Sequence, residues 1–282
     1  MNVNSVFSVL MPVCAGETPH HLATALSSIT EQTFRATEIV IVKDGPIGEA
    51  LENVITEFAQ KLPIRTIPLE KSLGLGFALQ RGVQECQYEL IARMDCDDIC
   101  ASDRFMKQIQ FIQAHPEVDV LGGCIAEFVD TPGDSKARRL LPLSSAHLTL
   151  WAHRRNPMNH MTVMFRKKAV LAAGNYQPLR GFEDYYLWAR MLAQGSQLAN
   201  LEDVLVYVRC GNGMYARRGG VSYAREEIRF QLILARMGFI TWVECISNIV
   251  LRIPIRLLPT SLRASIYNEI LRDKVLPHSA HA

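Results

Sequence analysis

The chain has 282 residues, which is enough for one large domain or a domain with an appendage, and for a sizeable core. Hydrophobic residues make up 49% of the chain and charged residues 21%, as in ordinary globular proteins. The formal net charge of +2 gives no support for nucleic-acid binding, so no nucleic-acid partner is expected.

The cysteines and the first apolar run indicate the compartment. Seven scattered cysteines form no Cys-x-x-Cys pair, which argues against a zinc site and against a disulfide framework. Reduced thiols in the cytoplasm are the simplest interpretation. No basic residue precedes the apolar run at 6–13, and Pro12 interrupts it, so a strand is favoured over a signal peptide.

Short apolar runs alternate with helix-like segments in the first part of the chain. Strands are predicted at 6–13, 38–45, 63–69 and 88–95, and helices at 19–32, 48–60 and 76–86. This alternation predicts an α/β fold with a parallel sheet. Ligands bind such sheets beyond the carboxyl ends of the strands, where Val13, Asp44 and Asp95 are expected.

The remainder of the chain contains further strands and ends in helices. A helix after Arg104 should stop at 115–116. Strands are predicted at 118–130, 160–165 and 204–209, helices at 167–173 and 183–193, and a surface loop at 131–139. A glycine-rich basic loop follows, and the chain becomes helical from about residue 221. We therefore predict a catalytic domain at 1–215 and a basic loop with a helical region at 216–282.

The stretch "DCDD" places Asp95, Asp97 and Asp98 at the end of a predicted strand, where like charges raise each other's pKa. A polar loop capping the next helix is one explanation, with Ser102 or Asp103 at the helix start. A calcium loop fails on spacing, because its sixth position is cysteine and its twelfth is methionine. A site for Mg²⁺ or Mn²⁺ holding a diphosphate remains as the third explanation.

Several motifs occur in a telling order: "SVLMPVCAG", "EIVIVKDGP", "LGLGFALQRGV", "IARMDCDDICASDRF" and "GFEDYYLWARML". Together they resemble the family 2 glycosyltransferases, which invert the anomeric centre and have the Rossmann-like GT-A fold. In that fold a mostly parallel central sheet carries helices on both faces. The resemblance covers roughly 6–192, and the tail "MYARRGGVSYAREE" is similar to that of bacterial O-antigen and capsule enzymes.

The resemblance implies a nucleotide pocket lined by Pro12 and Val13, with Asp44 accepting a hydrogen bond from a uracil ring. Two departures from the family bear on that pocket. Cys14-Ala15 stands where Tyr-Asn is common, and Lys43-Asp44 stands where Asp-Asp is common. One carboxylate, that of Asp44, is therefore left to bind the uracil base, and a plain turn role for Asp44 before Gly45 is the alternative.

The same resemblance implies roles around the acidic stretch. Asp95 should lie near the ribose and the metal, and Asp97 should bind the metal directly. Asp98 should brace the loop or cap the following helix. Arg93 lies on the same strand face as Asp95, so it either pairs with these carboxylates or forms an ordinary structural ion pair.

Two further groups complete the predicted site. Arg217 and Arg218 either close over the diphosphate or belong to a solvated basic loop. Glu183 and Asp184 open a predicted helix, where the helix dipole favours acidic residues. In the family this pair supplies the general base, which we assign to Asp184 with Glu183 supporting the acceptor. His160 either lines the acceptor site or is structural.

The predicted activity is inverting transfer of a sugar, with galactose as a candidate, from a UDP-sugar to a hydroxyl. The acceptor is expected to be an oligosaccharide or a sugar on polyprenyl diphosphate, and the cofactor Mn²⁺ or Mg²⁺. A sugar-nucleotide pyrophosphorylase is disfavoured because "PVCAGETPHH" contains no Arg or Lys to hold a triphosphate. A non-catalytic, membrane-associated nucleotide-sugar-binding protein is the third hypothesis.

The segment 239–258 has a polar stripe at helical spacing within a broad apolar surface. Charges and Pro254 argue against a membrane span. From Arg236 to Lys274 there are six basic and three acidic residues, which suits a helix lying on an anionic membrane surface. Packing on the catalytic domain or on a second copy is the alternative, and homo-oligomerisation stays open.

Overall fold

A computed structural model describes residues 6–129, 131–132, 137–210, 219–259 and 262, and the backbone of 273–274. Arg217 and Arg218 lie outside the described residues. The strands, numbered in chain order, are β1 (Phe7–Cys14), β2 (Glu38–Asp44), β3 (Ile64–Pro68), β4 (Leu90–Arg93), β5 (Ile99–Cys100), β6 (Val118–Phe128), β7 (Ala137–Arg139), β8 (Met164–Arg166), β9 (Gln197–Arg209) and β10 (Asp273–Lys274).

The helices lie between these strands and after β9. They are α1 (Pro19–Thr30), α2 (Glu49–Ala59), α3 (Leu75–Glu85), α4 (Arg104–Ala114), α5 (Ser145–Ala152), α6 (Lys167–Ala172), α7 (Glu183–Ala193), α8 (Gly220–Arg236) and α9 (Trp242–Leu257). The predicted α/β fold is confirmed, together with a C-terminal helical segment. The predicted domain division at residue 215 stays a prediction.

One sheet of ten strands runs through the described protein, and eight of them follow the order β10-β7-β6-β8-β4-β1-β2-β3. The other two, β5 and β9, pair with each other, and β9 also pairs with β6. Its half made of β4, β1, β2 and β3 is parallel, as the alternating sequence pattern predicts. In the other half, β8 lies antiparallel between β4 and β6, and β9 runs parallel to β6. The sheet is therefore mixed, and its parallel carboxyl edge leads directly into the acidic loop.

Two hydrophobic clusters cover the two faces of the sheet. One contains side chains from α1, α2 and α4, and the other contains side chains from α3, α6 and α7. Gly82 of α3 shows how closely the second layer packs: a Cβ atom there would lie 2.2 Å from Leu10 Cδ1 and 2.9 Å from Val42 Cγ2. Only glycine allows this approach of α3 to β1 and β2.

Two local predictions are wrong in part. The predicted strand at 160–165 begins instead as a 3₁₀ turn, His160–Thr162, because the Thr162 hydroxyl and backbone N–H both donate to the carbonyl of Asn159, at 2.7 and 2.9 Å. The predicted surface loop at 131–139 ends in β7, whose residues pair with β6. Helix α5 was not predicted.

The helices α8 and α9 form an antiparallel pair that packs on the rest of the chain. Phe230 of α8 stacks on Phe182 and contacts Tyr185, at 4.8 Å between ring centroids in each case. A third hydrophobic cluster joins α5, α7, α8 and α9. Of the helices described, none is both long and apolar enough to span a bilayer.

Candidate active site

The acidic stretch forms a tight loop between β4 and β5. Oxygen atoms from Asp95, Asp97 and Asp98 all lie within 4.8 Å of one another. The loop is fixed at both ends, because β4 is inside the sheet and Ile99 of β5 pairs with Tyr207 of β9. Three carboxylates are thus held together by the backbone of two strands rather than by mutual attraction.

Two of these three carboxylates already have strong partners. The Arg93 guanidinium is 2% exposed and contacts both oxygens of Asp95, with Nη1 donating to Oδ2 at 2.7 Å. The backbone N–H of Arg209 donates to Oδ1 of Asp98 at 3.0 Å. Arg93 therefore makes the expected pair with Asp95. Asp98 braces the loop against β9 rather than capping the next helix.

Asp97 is the least committed carboxylate of the loop. Within the described chain, the hydrogen bond to its carboxylate comes from its own backbone. Burial, and then the charges of Asp95 and Glu17, raise the pKa of Asp97 to about 6. The pKa of Asp98 is well above its usual range for the same kind of reason: burial first, then Asp95 and Asp97.

This donor set fits a hard divalent cation. Such ions prefer carboxylate oxygens, and a positive charge beside Asp97 would offset the repulsion that raises its pKa. Asp97 offers the freest oxygens, whereas those of Asp95 are shared with Arg93 and Asp98 is buried. The arrangement fits the expectation that Asp97 is a direct ligand and that Asp95 lies beside it.

The predicted nucleotide residues lie at the ends of β1 and β2. Pro12 and Val13 are buried, with the Val13 side chain in the core of the first face. Asp44 is also buried, and its carboxylate accepts hydrogen bonds from Ser72 Oγ at 2.8 Å and from the N–H groups of the next two residues. Asp44 thus ties down the loop before α3, and its contact with uracil stays a prediction.

Helix α7 begins at the predicted base. Asn156 Nδ2 donates to Oδ2 of Asp184 at 2.6 Å, which fixes the orientation of that carboxylate. Burial raises the pKa of Glu183, and its Oε2 atom is buried without a hydrogen-bond partner in the described protein. The two neighbouring carboxylates therefore have different environments, one hydrogen-bonded by an amide and one partly desolvated.

Two buried rings, His160 and Tyr176, lie beside Asp184. His160 Nδ1 is 4.0 Å from Asp184 Oδ2, and His160 Nε2 is 2.9 Å from the Tyr176 hydroxyl. Burial, and then the charge of Arg93, lowers the pKa of His160 well below its usual value. His160 is therefore neutral, and it lies between the Arg93 side of the site and Asp184.

Gly76 lies where the start of α3 comes close to Glu183. A Cβ atom there would lie 3.3 Å from Pro178 Cα and 3.5 Å from Glu183 Cβ. The first turn of α3, which follows the loop held by Asp44, therefore packs against the segment that leads into α7. The "LGLG" stretch acts as a helix entry next to the predicted base.

Three residues near the site were not predicted. Asn156 contacts Asp184, Arg209 braces the acidic loop, and Glu17 lies close enough to raise the pKa of Asp97. Glu17 follows β1 at the same sheet edge as Asp44, so its position along the sequence was an available signal. Asn156 and Arg209 gave none, because each reaches the site through a contact distant in sequence.

Comparisons with known proteins identify the family of this chain. The model of the family described as "Glycosyl transferase family 2" matches residues 8–181. An uncharacterized glycosyltransferase of Haemophilus influenzae is 45% identical over 94% of this chain and 99% of its own length. The amylovoran biosynthesis glycosyltransferase AmsE of Erwinia amylovora is 42% identical over 94% of this chain and 98% of its own length.

A third relative carries a specific name. It is the UDP-Gal:alpha-D-GlcNAc-diphosphoundecaprenol beta-1,3-galactosyltransferase of Escherichia coli, 36% identical over 94% of this chain and 96% of its own length.

Solved structures share the fold at low sequence identity. TarS 1–349 of S. aureus in complex with UDP-GlcNAc has a TM-score of 0.64 at 19% identity, over 82% of this chain and 67% of that one. The mannosyltransferase PcManGT of Pyrobaculum calidifontis, in complex with GDP-Man and Mn²⁺, has a TM-score of 0.66 at 15% identity, over 95% and 77%. These structures support the fold alone. Together with the family match and the curated relatives, they establish that the chain belongs to glycosyl transferase family 2 and is a glycosyltransferase with the GT-A fold.

Proposed function

We propose that this enzyme transfers a hexose from a UDP-sugar to a hydroxyl of a lipid-linked or oligosaccharide acceptor, with inversion, in the synthesis of a bacterial surface polysaccharide. The relative of known specificity supports a UDP-sugar donor, with UDP-galactose the first to test, and an acceptor on a lipid diphosphate. Family membership favours this activity over a pyrophosphorylase or a non-catalytic binding protein.

One observation carries the proposal: the carboxylates of Asp95 and Asp184 are linked through buried residues that lie between them. Arg93 binds Asp95 on the donor side and acts electrostatically on His160, which lies beside Asp184. Transfer needs a diphosphate site and a proton acceptor close together, and the chain of contacts from Asp95 through Arg93 and His160 to Asp184 supports that pairing. A binding protein would need only the first.

In the proposed step, the acceptor oxygen forms a bond to the anomeric carbon while the bond from that carbon to the diphosphate oxygen breaks. The bonding electron pair leaves with UDP. Asp184 takes the hydroxyl proton, and Asn156 holds Oδ2 of that carboxylate so that Oδ1 is available for the proton. Glu183 supports the acceptor through its partly desolvated carboxylate.

Bound Mn²⁺ or Mg²⁺ would supply positive charge for the diphosphate and the leaving UDP. Asp97 and Asp95 are the proposed ligands. Pro12, Val13 and Asp44 remain the proposed nucleotide contacts, and Arg217 and Arg218 remain proposed to close over the diphosphate. We also propose a cytoplasmic enzyme at the inner face of the membrane, where a lipid-linked acceptor would be available.

The general test is a donor screen with the purified enzyme. With a GlcNAc-diphosphate-lipid acceptor, we expect UDP release and a labelled disaccharide-lipid from one UDP-hexose, with UDP-galactose tested first. GDP-mannose is the control donor. Product carrying an inverted linkage, assigned by NMR, would support the mechanism. Absence of transfer from every UDP-sugar, on both lipid-linked and free oligosaccharide acceptors, would refute the proposed function.

The metal prediction concerns Asp97. EDTA should abolish transfer and Mn²⁺ or Mg²⁺ should restore it, whereas Asp97→Asn should stay inactive with either ion. Asp103→Asn, an exposed aspartate outside the acidic loop, is the matched control and should keep its activity. Full activity of the native enzyme in chelator would contradict a metal role.

A second readout of Asp97 does not depend on catalysis. The pKa of Asp97 in the folded state, about 6, exceeds its usual value of 3.8. The charged form is thus disfavoured by folding, which costs stability above about pH 6 and nothing below pH 4. Metal-free Asp97→Asn should be more stable than the native protein at pH 7.5, by about 1–2 kcal/mol after solvent screening, and no more stable near pH 4.

The base prediction compares the two neighbouring carboxylates. Asp184→Asn keeps shape and hydrogen bonding but removes the proton acceptor, so kcat should fall about a hundredfold to ten-thousandfold. UDP affinity with Mn²⁺ and the melting temperature should remain near native. Glu183→Gln should be milder. Near-native transfer by Asp184→Asn together with loss in Glu183→Gln would move the base to Glu183.

Asn156 should act by orienting the base. Asn156→Asp removes the donor to Asp184 and places a like charge beside it, so kcat should fall about tenfold to a hundredfold with little change in KM for the donor. UDP affinity and the melting temperature should stay near native, because the change touches the orientation of Asp184 rather than the donor contacts. Gln194→Glu, the same change at the far end of α7, is the control. A native kcat in Asn156→Asp would contradict this role.

A further inference from the structure

His160 is a buried titratable side chain with two different neighbours. It opens the 3₁₀ turn after α5, and its side chain is 10% exposed. Its Nδ1 atom lies 4.0 Å from Oδ2 of Asp184, and its Nε2 atom lies 2.9 Å from the Tyr176 hydroxyl. The ring therefore lies between a carboxylate and a phenol, and the position of its hydrogen decides what Asp184 meets.

Packing holds this ring in one orientation. The ring centroids of Tyr176 and Trp188 lie 5.6 and 6.1 Å from that of His160. Trp188 lies one helical turn after Asp184 on α7, so the helix that carries the proposed base also packs against the histidine. With a ring on each side, the two nitrogens of His160 have fixed directions.

The Tyr176 backbone is also fixed. Its N–H donates to Oδ1 of Asn175 at 2.7 Å, and its carbonyl accepts from Nε2 of Gln80 at 2.9 Å. Asn175 has a φ of 58°, a left-handed conformation that asparagine adopts more readily than most residues. Arg190 Nη2 donates to the Asn175 carbonyl at 2.7 Å. These contacts hold the segment that carries the phenol against α3 and α7.

The hydrogen bond to Tyr176 assigns the hydrogen on the ring. Tyr176 is fully buried, and in the described chain His160 Nε2 is the one hydrogen-bond partner of its hydroxyl. A hydrogen on Nε2 would make the ring the donor and would leave the hydroxyl hydrogen without an acceptor. With Nε2 unprotonated, the hydroxyl donates to it. The ring then carries a single hydrogen, on Nδ1, which faces Asp184.

The pKa directions support this assignment. Burial raises the pKa of Tyr176 far above its usual value, so the phenol keeps its hydrogen. Burial, and then the charge of Arg93, lowers the pKa of His160 well below its usual value, so the ring carries one hydrogen rather than two. Of the two neutral forms, the one with its hydrogen on Nε2 would turn the Nδ1 lone pair toward a carboxylate, which is repulsive.

We propose that His160 is a positioning residue for the proposed base: its Nδ1–H group and Nδ2 of Asn156 hold the same oxygen, Oδ2 of Asp184. The proposal rests on the proposed function, because it takes Asp184 as the base. At 4.0 Å the contact is electrostatic, and catalytic hydrogen bonds that are long in the free enzyme often shorten in the substrate complex. Two donors on Oδ2 leave Oδ1 for the acceptor's proton.

The same assignment excludes His160 as the proton acceptor. Its Nδ1 atom already carries a hydrogen, and the lone pair of its Nε2 atom accepts from Tyr176. His160 therefore acts through Asp184 and takes no proton from the substrate.

The first test needs no substrate. Nitrogen-15 NMR of the full-length, histidine-labelled protein at neutral pH should show a protonated Nδ1 and an unprotonated Nε2, with His160→Asn identifying the signals. Tyr176→Phe should populate the form with its hydrogen on Nε2. Tyr185→Phe is the matched control, since it removes another buried hydroxyl, which donates to the Ala152 carbonyl at 2.7 Å. A hydrogen on Nε2 of the native protein would overturn the proposal.

The second test separates positioning from packing. His160→Phe keeps an aromatic ring without an N–H group, whereas His160→Asn is smaller but places an amide Nδ2 near the position of the ring Nδ1. In His160→Phe, kcat should fall about tenfold to a hundredfold, because a donor to a charged group is lost. In His160→Asn it should stay closer to native. KM for the donor should not change in either variant. The melting temperature should fall more in His160→Asn, which leaves a cavity.

Activity and stability should therefore follow opposite orders in these two variants. Loss of kcat in His160→Asn as large as in His160→Phe, or larger, would mean that activity follows packing and would overturn the proposal. A native kcat in His160→Phe would overturn it as well. Tyr185→Phe should keep the native kcat. Because the ring hydrogen is measured without substrate, failure to transfer any sugar while Nδ1 is protonated and Nε2 is not would refute the proposed function alone.

Discussion

The buried guanidinium of Arg93 is the interaction on which the site depends. It contacts both oxygens of Asp95, and its own backbone carbonyl accepts a hydrogen bond from Nη2 of the fully buried Arg104 at 2.7 Å. A buried charge of this kind is tolerated only when it is paired, and removing one partner is far more costly than removing both. The acidic loop can therefore hold three carboxylates because one of them is already balanced from inside the protein.

The same charge also acts on the other side of the site. Arg93, after burial, contributes to the lowered pKa of His160, so the ring beside Asp184 carries no positive charge. A protonated histidine there would neutralise the proposed base by forming an ion pair with it. One arginine thus forms the ion pair with Asp95 and also disfavours protonation of His160 beside Asp184. This differs from an ordinary structural ion pair, whose effect ends at its two partners.

Features encoded locally in the sequence were predicted well. The buried parallel strands, the helix that begins at Glu183 and the polar residues after β2 and β4 all follow from apolar runs and their boundaries. The strand predicted at 160–165 begins only at Met164. The residue types before it suit a strand, but the hydrogen bonds from Thr162 to Asn159 bend the chain into a turn. Such a contact is a property of the folded surroundings, and residue preferences do not reveal it.

The site shows the same limit. The acidic stretch and Asp184 could be found from motifs, but Asn156 lies 28 residues before Asp184 and meets it only through the fold. Asp44 shows the reverse case: its position was predicted, yet its carboxylate is engaged by the loop at 72–74, a contact that motif order does not indicate. Sequence patterns locate the carboxylates, whereas the partners that set their chemistry come from distant parts of the chain.

Helix α9 extends this argument from residues to a surface. Its periodic pattern shows that one side is polar and the other apolar, but a pattern alone does not say which side meets the protein. That choice is made by Glu227 on another helix, whose buried carboxylate needs both Arg252 and Arg256. Because the ion network takes the polar side, the apolar side is left outward as a consequence of electrostatics rather than of poor packing.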